Sequence, residues 1–215
     1  MEKIIHQIWV GPYKIPKREL MCIDSVKQNQ KDFEYRFWTN DNIPILPPKL
    51  KTIYDFFENR KDYTHQADLL RVYLINKYGG VYMDVDFEFK KSITKFNLDR
   101  YDAFFCTHEG NVSTFPNGIF GMTSNHPISI KMLYNIENGY PSRYWYGPSW
   151  VANMVKEYFQ ETNNIIYSEF TKKYFDGNNI FHINFDKFHW NYYFHHALYA
   201  WSPENKKKFE EGKMI

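Results

Sequence analysis

The chain has 215 residues, of which 43% are apolar and 24% charged, and it carries a formal net charge of +2. That length allows one substantial domain, and the balance of 27 basic against 25 acidic side chains argues against a nucleic-acid-binding protein. Its two cysteines, Cys22 and Cys106, cannot supply a disulfide framework, which favours a reducing compartment.

The sequence predicts no transmembrane segment. No window approaches the ~18 apolar residues of a spanning helix, and His6 and Gln7 interrupt the N-terminal apolar run, unlike in a signal peptide. We therefore expect a cytoplasmic protein. The basic stretch Lys206–Lys208 favours a solvated tail, with a peripheral contact at the inner face of the membrane as the alternative.

Predicted strands and helices alternate along the first half of the chain. Apolar and β-branched runs predict strands at 3–10, 34–39, 81–83, 102–107, 118–122, 164–167 and 180–183. Apolar residues at helical spacing predict helices at 17–29, 49–59, 64–78, 128–137 and 148–160. This alternation favours an α/β fold with a mostly parallel central sheet flanked by helices, in which ligands bind at the carboxyl ends of the strands.

The helix predicted at 64–78 has the clearest pattern. Gly79-Gly80 should end it, because glycine tolerates an abrupt reversal of the chain. The strand that follows runs directly into Asp84-Val85-Asp86. One side of the helix is predicted to be apolar and comprises Ala67, Leu70, Leu74, Ile75 and Tyr78.

Two carboxylates at this strand end could address one divalent cation. Asp84 and Asp86 are two residues apart, so in an extended chain they point to the same face. Hard cations such as Mn²⁺ and Mg²⁺ take carboxylates together with water or phosphate oxygens. A chance Asp-x-Asp in a surface loop is the alternative. Asp68 and Arg71, neighbours on the preceding helix, form either a surface ion pair or part of the same site.

These motifs resemble, in order and spacing, the central motif of glycosyltransferase family 32. The segments that carry the resemblance are HQADLLR at 65–71 and YGGVYMDVD at 78–86. The family comprises DXD-containing sugar transferases of the mannan-initiating and capsular polysaccharide type, and the motif is also similar to the catalytic domain of clostridial glucosylating toxins. The segment 3–11 resembles the family's first strand, Trp38-Thr39 its second, and 195–201 its C-terminal His-His…Trp element.

The resemblance implies a GT-A-like nucleotide-sugar-binding fold in a single domain, residues 1–215. Residues 1–90 would form the nucleotide-sugar-binding half, and 91–215 the acceptor half with a C-terminal lid. The implied activity is that of a retaining, metal-dependent glycosyltransferase. It would move a hexose from a nucleotide-diphosphate sugar, with a UDP-sugar favoured, to a glycan or lipid-linked sugar acceptor in the synthesis of a surface polysaccharide such as a capsule.

The resemblance also implies roles for residues that bind the donor. Trp9 would stack on the nucleotide base, although a strand Trp is as often part of the core. Asp68 and Arg71 would hydrogen-bond the sugar and the ribose. Tyr82 would line the same pocket, with core packing as the alternative, and Trp201 would close over the leaving phosphate.

The implied metal ligands of the Mn²⁺ or Mg²⁺ ion are Asp86, Asp84 and His196. Asp86 would bind the ion directly, and Asp84 would contact the ion or the donor's ribose. For His196 the alternative is a partly buried histidine without a role. Together with Asp68 and Arg71, Asp86 completes the expected catalytic set.

Other functions and features stay open at this point. A phosphohydrolase could use the same Asp-x-Asp as nucleophile and acid/base, but Phe87 stands where a small Thr or Val is usual. A non-catalytic sugar-binding domain is the third alternative. For a transferase, front-face substitution is favoured over a covalent intermediate, and the segments 109–117 and 142–146 are expected to border the acceptor site.

Overall fold

Strands and helices alternate in the computed structural model, which describes residues 1–107, 115, 117–139, 148–163, 180–184 and 193–195. The strands are β1 (Ile4–Trp9), β2 (Glu34–Thr39), β3 (Gly80–Met83), β4 (Phe87–Phe89), β5 (Ala103–Thr107), β6 (Ile119–Met122), β7 (Ile180–Asn184) and β8 (Tyr193–His195). The helices are α1 (Lys17–Asn29), α2 (Pro48–Asn59), α3 (Tyr63–Tyr78), α4 (Pro127–Gly139) and α5 (Pro148–Asn163), with short 3₁₀ turns at Thr94–Phe96 and Leu98–Arg100.

Six strands form one sheet in the order β2-β1-β3-β6-β5-β7. The pairs β1/β2, β1/β3 and β5/β7 are parallel, whereas β6 is antiparallel to both β3 and β5. Five strands therefore share one direction, and β6 alone opposes them. The predicted α/β fold with a mostly parallel sheet is confirmed, while β4 and β8, which the sequence did not predict, pair separately as an antiparallel ribbon. The strand predicted at 164–167 lies outside the described residues.

The carboxyl ends of β2, β1 and β3 meet at one edge of the sheet because these strands are parallel and adjacent. β6 begins at the same edge because it runs in the opposite direction beside β3, with Met83 opposite Ile119. Residues that follow β3 and residues that precede β6 are thus brought together. We refer to this boundary as the carboxyl edge.

α3 is buried on nearly every side, which exceeds the one apolar side that the sequence predicted. All residues from Asp68 to Ile75 are buried, and so is Gln66. The reason is that α3 contacts the sheet through β1, β3 and β6, and also contacts α2 and α4. A helix covered from several directions loses the one-sided pattern on which the prediction depended.

The two glycines after α3 turn the chain directly into β3. Gly79 and Gly80 have φ values of 65° and 95°, a region that side chains with a Cβ rarely adopt. The Gly79 N–H donates to the Ile75 carbonyl at 2.8 Å, which closes the last turn of the helix. This reversal brings the amino-terminal half of α3 back to the carboxyl edge.

A buried histidine joins the sheet to the end of α3. His6 Nε2 lies 2.9 Å from the Gly79 carbonyl oxygen, and Trp38 Nε1 donates to His6 Nδ1 at 3.0 Å. The His6 ring therefore carries its proton on Nε2, because Nδ1 accepts. Burial lowers the pKa of His6 to about 4, so the ring is neutral at physiological pH.

Among the described residues, no helix has the length and apolarity to cross a membrane.

Candidate active site

The main chain of Asp84 is fixed from both sides of the carboxyl edge. Its N–H donates to the Gly118 carbonyl at 2.7 Å, and its carbonyl accepts from Gln7 Nε2 at 3.1 Å. Gln7 is held in turn by Tyr35, whose hydroxyl donates to Gln7 Oε1 at 2.8 Å. Contacts from β1, β2 and the residue before β6 thus position the first aspartate of the motif.

Asp68 and Arg71 form a buried ion pair on the face of α3 that meets this edge. Arg71 Nη2 lies 2.8 Å from Asp68 Oδ1, and the two side chains are 7% and 10% exposed, respectively. The alternative of a surface ion pair is therefore wrong for these residues. A buried pair of this kind has to be satisfied by precise neighbours, because removing both charges from water costs several kcal/mol per ion.

Asn117 supplies those neighbours and was not predicted as a partner of the pair. Arg71 Nη1 donates to the Asn117 carbonyl at 2.6 Å, and Asn117 Nδ2 donates to Asp68 Oδ1 at 3.3 Å. The sequence placed Asn117 at the border of an acceptor site. No local pattern marks it as a contact of residues 46 and 49 positions away; only the pairing of β6 with β3 brings it there.

Tyr82 connects the ion pair to Asp84. The Arg71 guanidinium carbon lies 4.6 Å from the centre of the Tyr82 ring, and the Tyr82 hydroxyl donates to Asp84 Oδ1 at 2.5 Å. The same Asp84 oxygen is 3.4 Å from Arg71 Nη2. Tyr82 is only 2% exposed, so it packs in the core and contacts the site through its hydroxyl at the same time.

Gly118 leaves the space that the Asp84 carboxylate occupies. A Cβ at position 118 would approach Asp84 Oδ2 to 2.7 Å and the Phe87 ring to 3.2 Å. These distances are shorter than ordinary contacts between such atoms. A glycine is therefore needed at this position for Asp84 to keep its place, a requirement that sequence reasoning missed.

Burial and neighbouring charges shift the pKa values of the site residues. Burial raises the pKa of Asp68 to about 6, although the positive charge of Arg71 acts in the opposite direction. Burial alone would lower the pKa of Arg71, but the surrounding negative charges, led by Asp68, raise it, and the guanidinium stays charged. Burial also raises the pKa of Tyr82, which keeps its hydroxyl a hydrogen-bond donor.

Asp86 lies in the turn between β3 and β4 and is half-buried. Its carboxylate, together with that of Asp84, has the oxygen chemistry that Mn²⁺ and Mg²⁺ prefer. Within the described part of the chain, no group of three or more His, Cys, Asp or Glu side chains is arranged to hold a metal. A full coordination shell would therefore need water, phosphate oxygens or residues elsewhere in the chain.

Two expected site residues, His196 and Trp201, lie outside the described residues, as does the segment 142–146. The strand that precedes His196 is described, and its register is informative. β8 pairs antiparallel with β4, and His195 is opposite Phe87. In the sequence, Asp86 directly precedes Phe87, and His196 directly follows His195.

Trp9 ends β1 at the carboxyl edge and is partly exposed. Its indole N–H donates to the Tyr13 carbonyl at 2.8 Å, which fixes the orientation of the ring. The loop around it is braced by a reciprocal pair of hydrogen bonds between Gly11 and Asn40, at 3.0 and 2.9 Å. An aromatic face is therefore held at the same edge as Asp84.

Comparison with known proteins gives a consistent picture. Residues 16–104 match a family model described as the glycosyltransferase sugar-binding region containing a DXD motif. An uncharacterized glycosyltransferase of Acanthamoeba polyphaga mimivirus is 30% identical over 138 residues, which cover 62% of this chain and 54% of the relative. Inositol phosphoceramide mannosyltransferase 3 of Schizosaccharomyces pombe is 28% identical, with 62% of this chain and 36% of the relative covered.

The structural comparison agrees on the fold. The PaToxG glycosyltransferase superposes with a TM-score of 0.57 at 19% identity, covering 75% of this chain and 70% of that one. The predicted resemblance to DXD-containing glycosyltransferases is thus confirmed, and so is the predicted likeness to a toxin glycosyltransferase. The chain spans about half, or less, of the length of the first curated relatives that it matches.

Proposed function

Because residues 16–104 carry the sugar-binding region of DXD-containing glycosyltransferases, we propose that the chain transfers a hexose from a nucleotide-diphosphate sugar to a glycan or lipid-linked acceptor. One observation carries the proposal. The buried Asp68–Arg71 pair is connected through Tyr82 to Asp84, the first carboxylate of the motif, at the carboxyl edge where such sheets bind ligands.

In this proposal Asp68 and Arg71 hold the sugar and the ribose of the donor. Arg71 Nε is buried and makes no hydrogen bond within the described part of the chain. A buried donor of this kind is stabilised when a ligand oxygen accepts from it. Trp9 stacks on the base, and its fixed indole N–H supports a single ring orientation. Trp201 is proposed to close over the leaving phosphate.

Asp86 and Asp84, with His196, are proposed to hold Mn²⁺ or Mg²⁺, which would neutralise the negative charge of the departing nucleoside diphosphate. The contacts of Asp84 with Tyr82 and Arg71 favour Asp86 as the direct ligand. His196 is included because it directly follows His195, which is paired with Phe87, the residue after Asp86.

We propose that transfer retains the anomeric configuration by front-face substitution. Asp68 and Asp84 are both held by Arg71, so neither is presented as a covalent nucleophile. The fixed charge of Arg71 would stabilise the leaving diphosphate without reorganisation, which is how preorganised sites lower a barrier. Asp68 then acts by fixing Arg71 and the donor sugar rather than by attacking it.

The proposed donor and acceptor rest on the toxin-like motif and on the names of the relatives. A UDP-sugar is proposed because the motif resembles that of the glucosylating toxins, and GDP-mannose is the second candidate because several relatives are named mannosyltransferases. The names of two relatives also specify inositol phosphoceramide and mannosyl phosphorylinositol ceramide. These names favour a lipid-linked acceptor, while a polysaccharide acceptor, as in capsule synthesis, is the alternative.

The test is donor hydrolysis without acceptor by the purified protein, with UDP-glucose, UDP-N-acetylglucosamine or GDP-mannose and with Mn²⁺. We expect Asp86→Ala to lose most of the activity while its unfolding curve stays unchanged. Asp55→Ala, which removes a partly exposed carboxylate on α2 that pairs with Lys51, is the matched control and should behave as wild type. Wild-type hydrolysis by Asp86→Ala would refute the proposal.

The same assay separates the two other functions. A phosphohydrolase would release phosphate from aryl phosphates and leave the glycosidic bond of the nucleotide sugar intact. A non-catalytic sugar-binding domain would bind sugar without any need for Mn²⁺ or for Asp68 and Arg71. Release of free hexose together with nucleoside diphosphate is the outcome expected here.

A further inference from the structure

The first turns of α1 present basic and apolar side chains to solvent. Lys17 is exposed, and Leu20 and Met21 are 46% and 63% exposed. Leu20 and Met21 are three and four residues beyond Lys17, so the three side chains form one stripe on the outer face of the helix. The opposite face, which includes Cys22 and Val26, is buried.

The loop before α1 extends this surface. Pro12 and Lys14 are exposed, and Tyr13, Ile15 and Pro16 are partly exposed. We call the segment Pro12–Met21 the α1 ridge. It combines two exposed lysines with exposed apolar side chains over ten consecutive residues.

The ridge presents no negative charge. Glu19 is its one carboxylate, and that side chain is 2% exposed and lies 3.8 Å from Arg18 Nε. Asp24, one turn further along the same face of α1, is exposed, and its carboxylate lies 4.0 Å from Lys27 Nζ. The exposed charges of the ridge, on Lys14 and Lys17, are therefore all positive.

The ridge borders the candidate active site. Tyr13, within the ridge, accepts the hydrogen bond from Trp9 at the carboxyl edge. On its buried side α1 packs against β4, where the Phe89 N–H donates to Ser25 Oγ at 2.8 Å. Because β4 directly follows Asp86, the helix that carries the ridge lies beside the Asp-x-Asp turn.

We propose that the α1 ridge docks on a bilayer surface that contains anionic lipid. Lys14 and Lys17 would contact the headgroups, while Leu20 and Met21 would enter the interfacial layer. A second copy of the chain fits this surface less well, because ridge against ridge would bring like charges together. The inference deepens the proposed function, since a lipid-linked acceptor would meet the site at the membrane surface.

The test is co-sedimentation of the full chain with vesicles made of equal parts phosphatidylcholine and phosphatidylglycerol, compared with phosphatidylcholine alone. We expect binding to the anionic vesicles only, weakened by added salt. The double substitution Lys14→Ala/Lys17→Ala should lower the binding constant roughly 30-fold. Leu20→Ser/Met21→Ser should lower it about tenfold or more, because the apolar contacts are lost.

Matched controls lie elsewhere on the surface. Lys31→Ala/Lys49→Ala removes two exposed lysines outside the ridge, and Ile130→Ser/Tyr134→Ser removes two exposed apolar side chains from α4. Both control proteins should bind anionic vesicles as wild type does. All four variants should hydrolyse the donor at the wild-type rate, since none of these side chains belongs to the proposed donor site.

Three outcomes would overturn the inference. The first is equal binding to neutral and anionic vesicles, and the second is an equal loss of binding in the control variants. The third is that sedimentation velocity shows a dimer, which the Leu20→Ser/Met21→Ser substitution dissociates. The last result would assign the ridge to self-association. Failure of the proposed function is separate, because it would appear as absent hydrolysis whether or not the vesicles bind.

Discussion

Asp68 titrates closer to neutrality than a solvent-exposed aspartate, and this gives the site a pH dependence. Since its pKa is raised to about 6, the carboxyl group becomes protonated as the pH falls through that value. Arg71 then loses its closest negative partner. We expect kcat/KM to decline below about pH 6, measured as a profile from about pH 5 to about pH 8.

The control for this profile is Asp68→Asn, which keeps the shape of the side chain and removes its titration. Its activity should be low and nearly constant across the same interval. An acidic limb identical to that of the wild type in this variant would show that another group titrates.

His6 makes the stability of the protein depend on pH. The pKa of His6 is about 4 in the folded protein, against 6.5 in the unfolded chain. The stabilisation that buried, neutral His6 provides is therefore complete above pH 6.5. It is lost as the pH falls towards 4, because the unfolded chain takes up the proton first. The difference corresponds to on the order of 3 kcal/mol. The free-energy gap between wild type and His6→Gln, from urea unfolding, should narrow by about that amount between pH 7 and pH 4. A gap that stays constant between pH 7 and pH 4 would contradict this prediction. Titrating groups that both proteins contain, such as Asp68, contribute equally to the two unfolding free energies and cancel in the difference.

Gly118, the residue directly before β6, acts on the site through the space that it leaves for the Asp84 carboxylate. In Gly118→Ala the new Cβ would approach Asp84 Oδ2 to 2.7 Å, so the carboxylate has to move. Misplacement of a catalytic group by about 1 Å can cost roughly 100-fold in rate, and we expect at least a tenfold loss of donor hydrolysis with a small change in stability.

Gly121→Ala, inside β6 itself, provides the contrast. There the added Cβ would meet the Gly80 carbonyl at 2.7 Å, inside the sheet and away from the carboxyl edge. This variant should lose stability in urea while the folded fraction remains active. A fully active Gly118→Ala protein would show that Asp84 does not need its present position.

The junction between α3 and β3 should tolerate substitution unequally at its two glycines. At Gly80 the blocking atom is the Ile4 carbonyl oxygen, 2.5 Å from the new Cβ and fixed in the sheet, whereas at Gly79 it is the movable Glu2 carboxylate. We expect Gly80→Ala to cost about 3 kcal/mol or more and Gly79→Ala about 1–2 kcal/mol. Urea unfolding midpoints measure both, and the reverse order would contradict the argument.

Local signals predicted most elements with accurate bounds. α1 and β2 occupy the predicted residues because their patterns and flanking residues suffice. β4 and β8 contain three residues each, too few for a periodic pattern, and they exist because they pair with each other. The helix at α3 was predicted, but the extent of its burial was not, because that burial depends on the elements that pack around it.

The residues of the candidate site also fall into those that a local motif predicted and those that only long-range pairing brings in. Asp68, Arg71 and Asp84 belong to one continuous motif, and the sequence alone predicted that they lie together, as they do. Asn117 and Gly118 entered the site only through the register of β6 with β3. Neither residue has a spacing relative to the motif that sequence reasoning could have recognised.

The whole chain should respond to its ligands as one unit in a thermal melt. A ligand at a hundred times its dissociation constant stabilises the folded state by about 2.7 kcal/mol, which is roughly 5–10 °C for a chain of this size. We expect UDP to raise Tm by this order with Mn²⁺ present and much less with EDTA. Asp86→Ala should lose the Mn²⁺-dependent part, and Asp55→Ala should keep it. Equal protection with and without Mn²⁺ would favour a metal-free binding domain.

The contacts of Asn117 and Gly118 also determine when the site can form during synthesis. A nascent chain that has emerged only as far as Asp86 already contains the whole motif from Asp68 onwards. It still lacks the Asn117 carbonyl that holds Arg71 and the Gly118 carbonyl that binds the Asp84 N–H. The motif therefore leaves the ribosome before the residues that hold it, and the proposed donor site can form only once β6 has paired with β3.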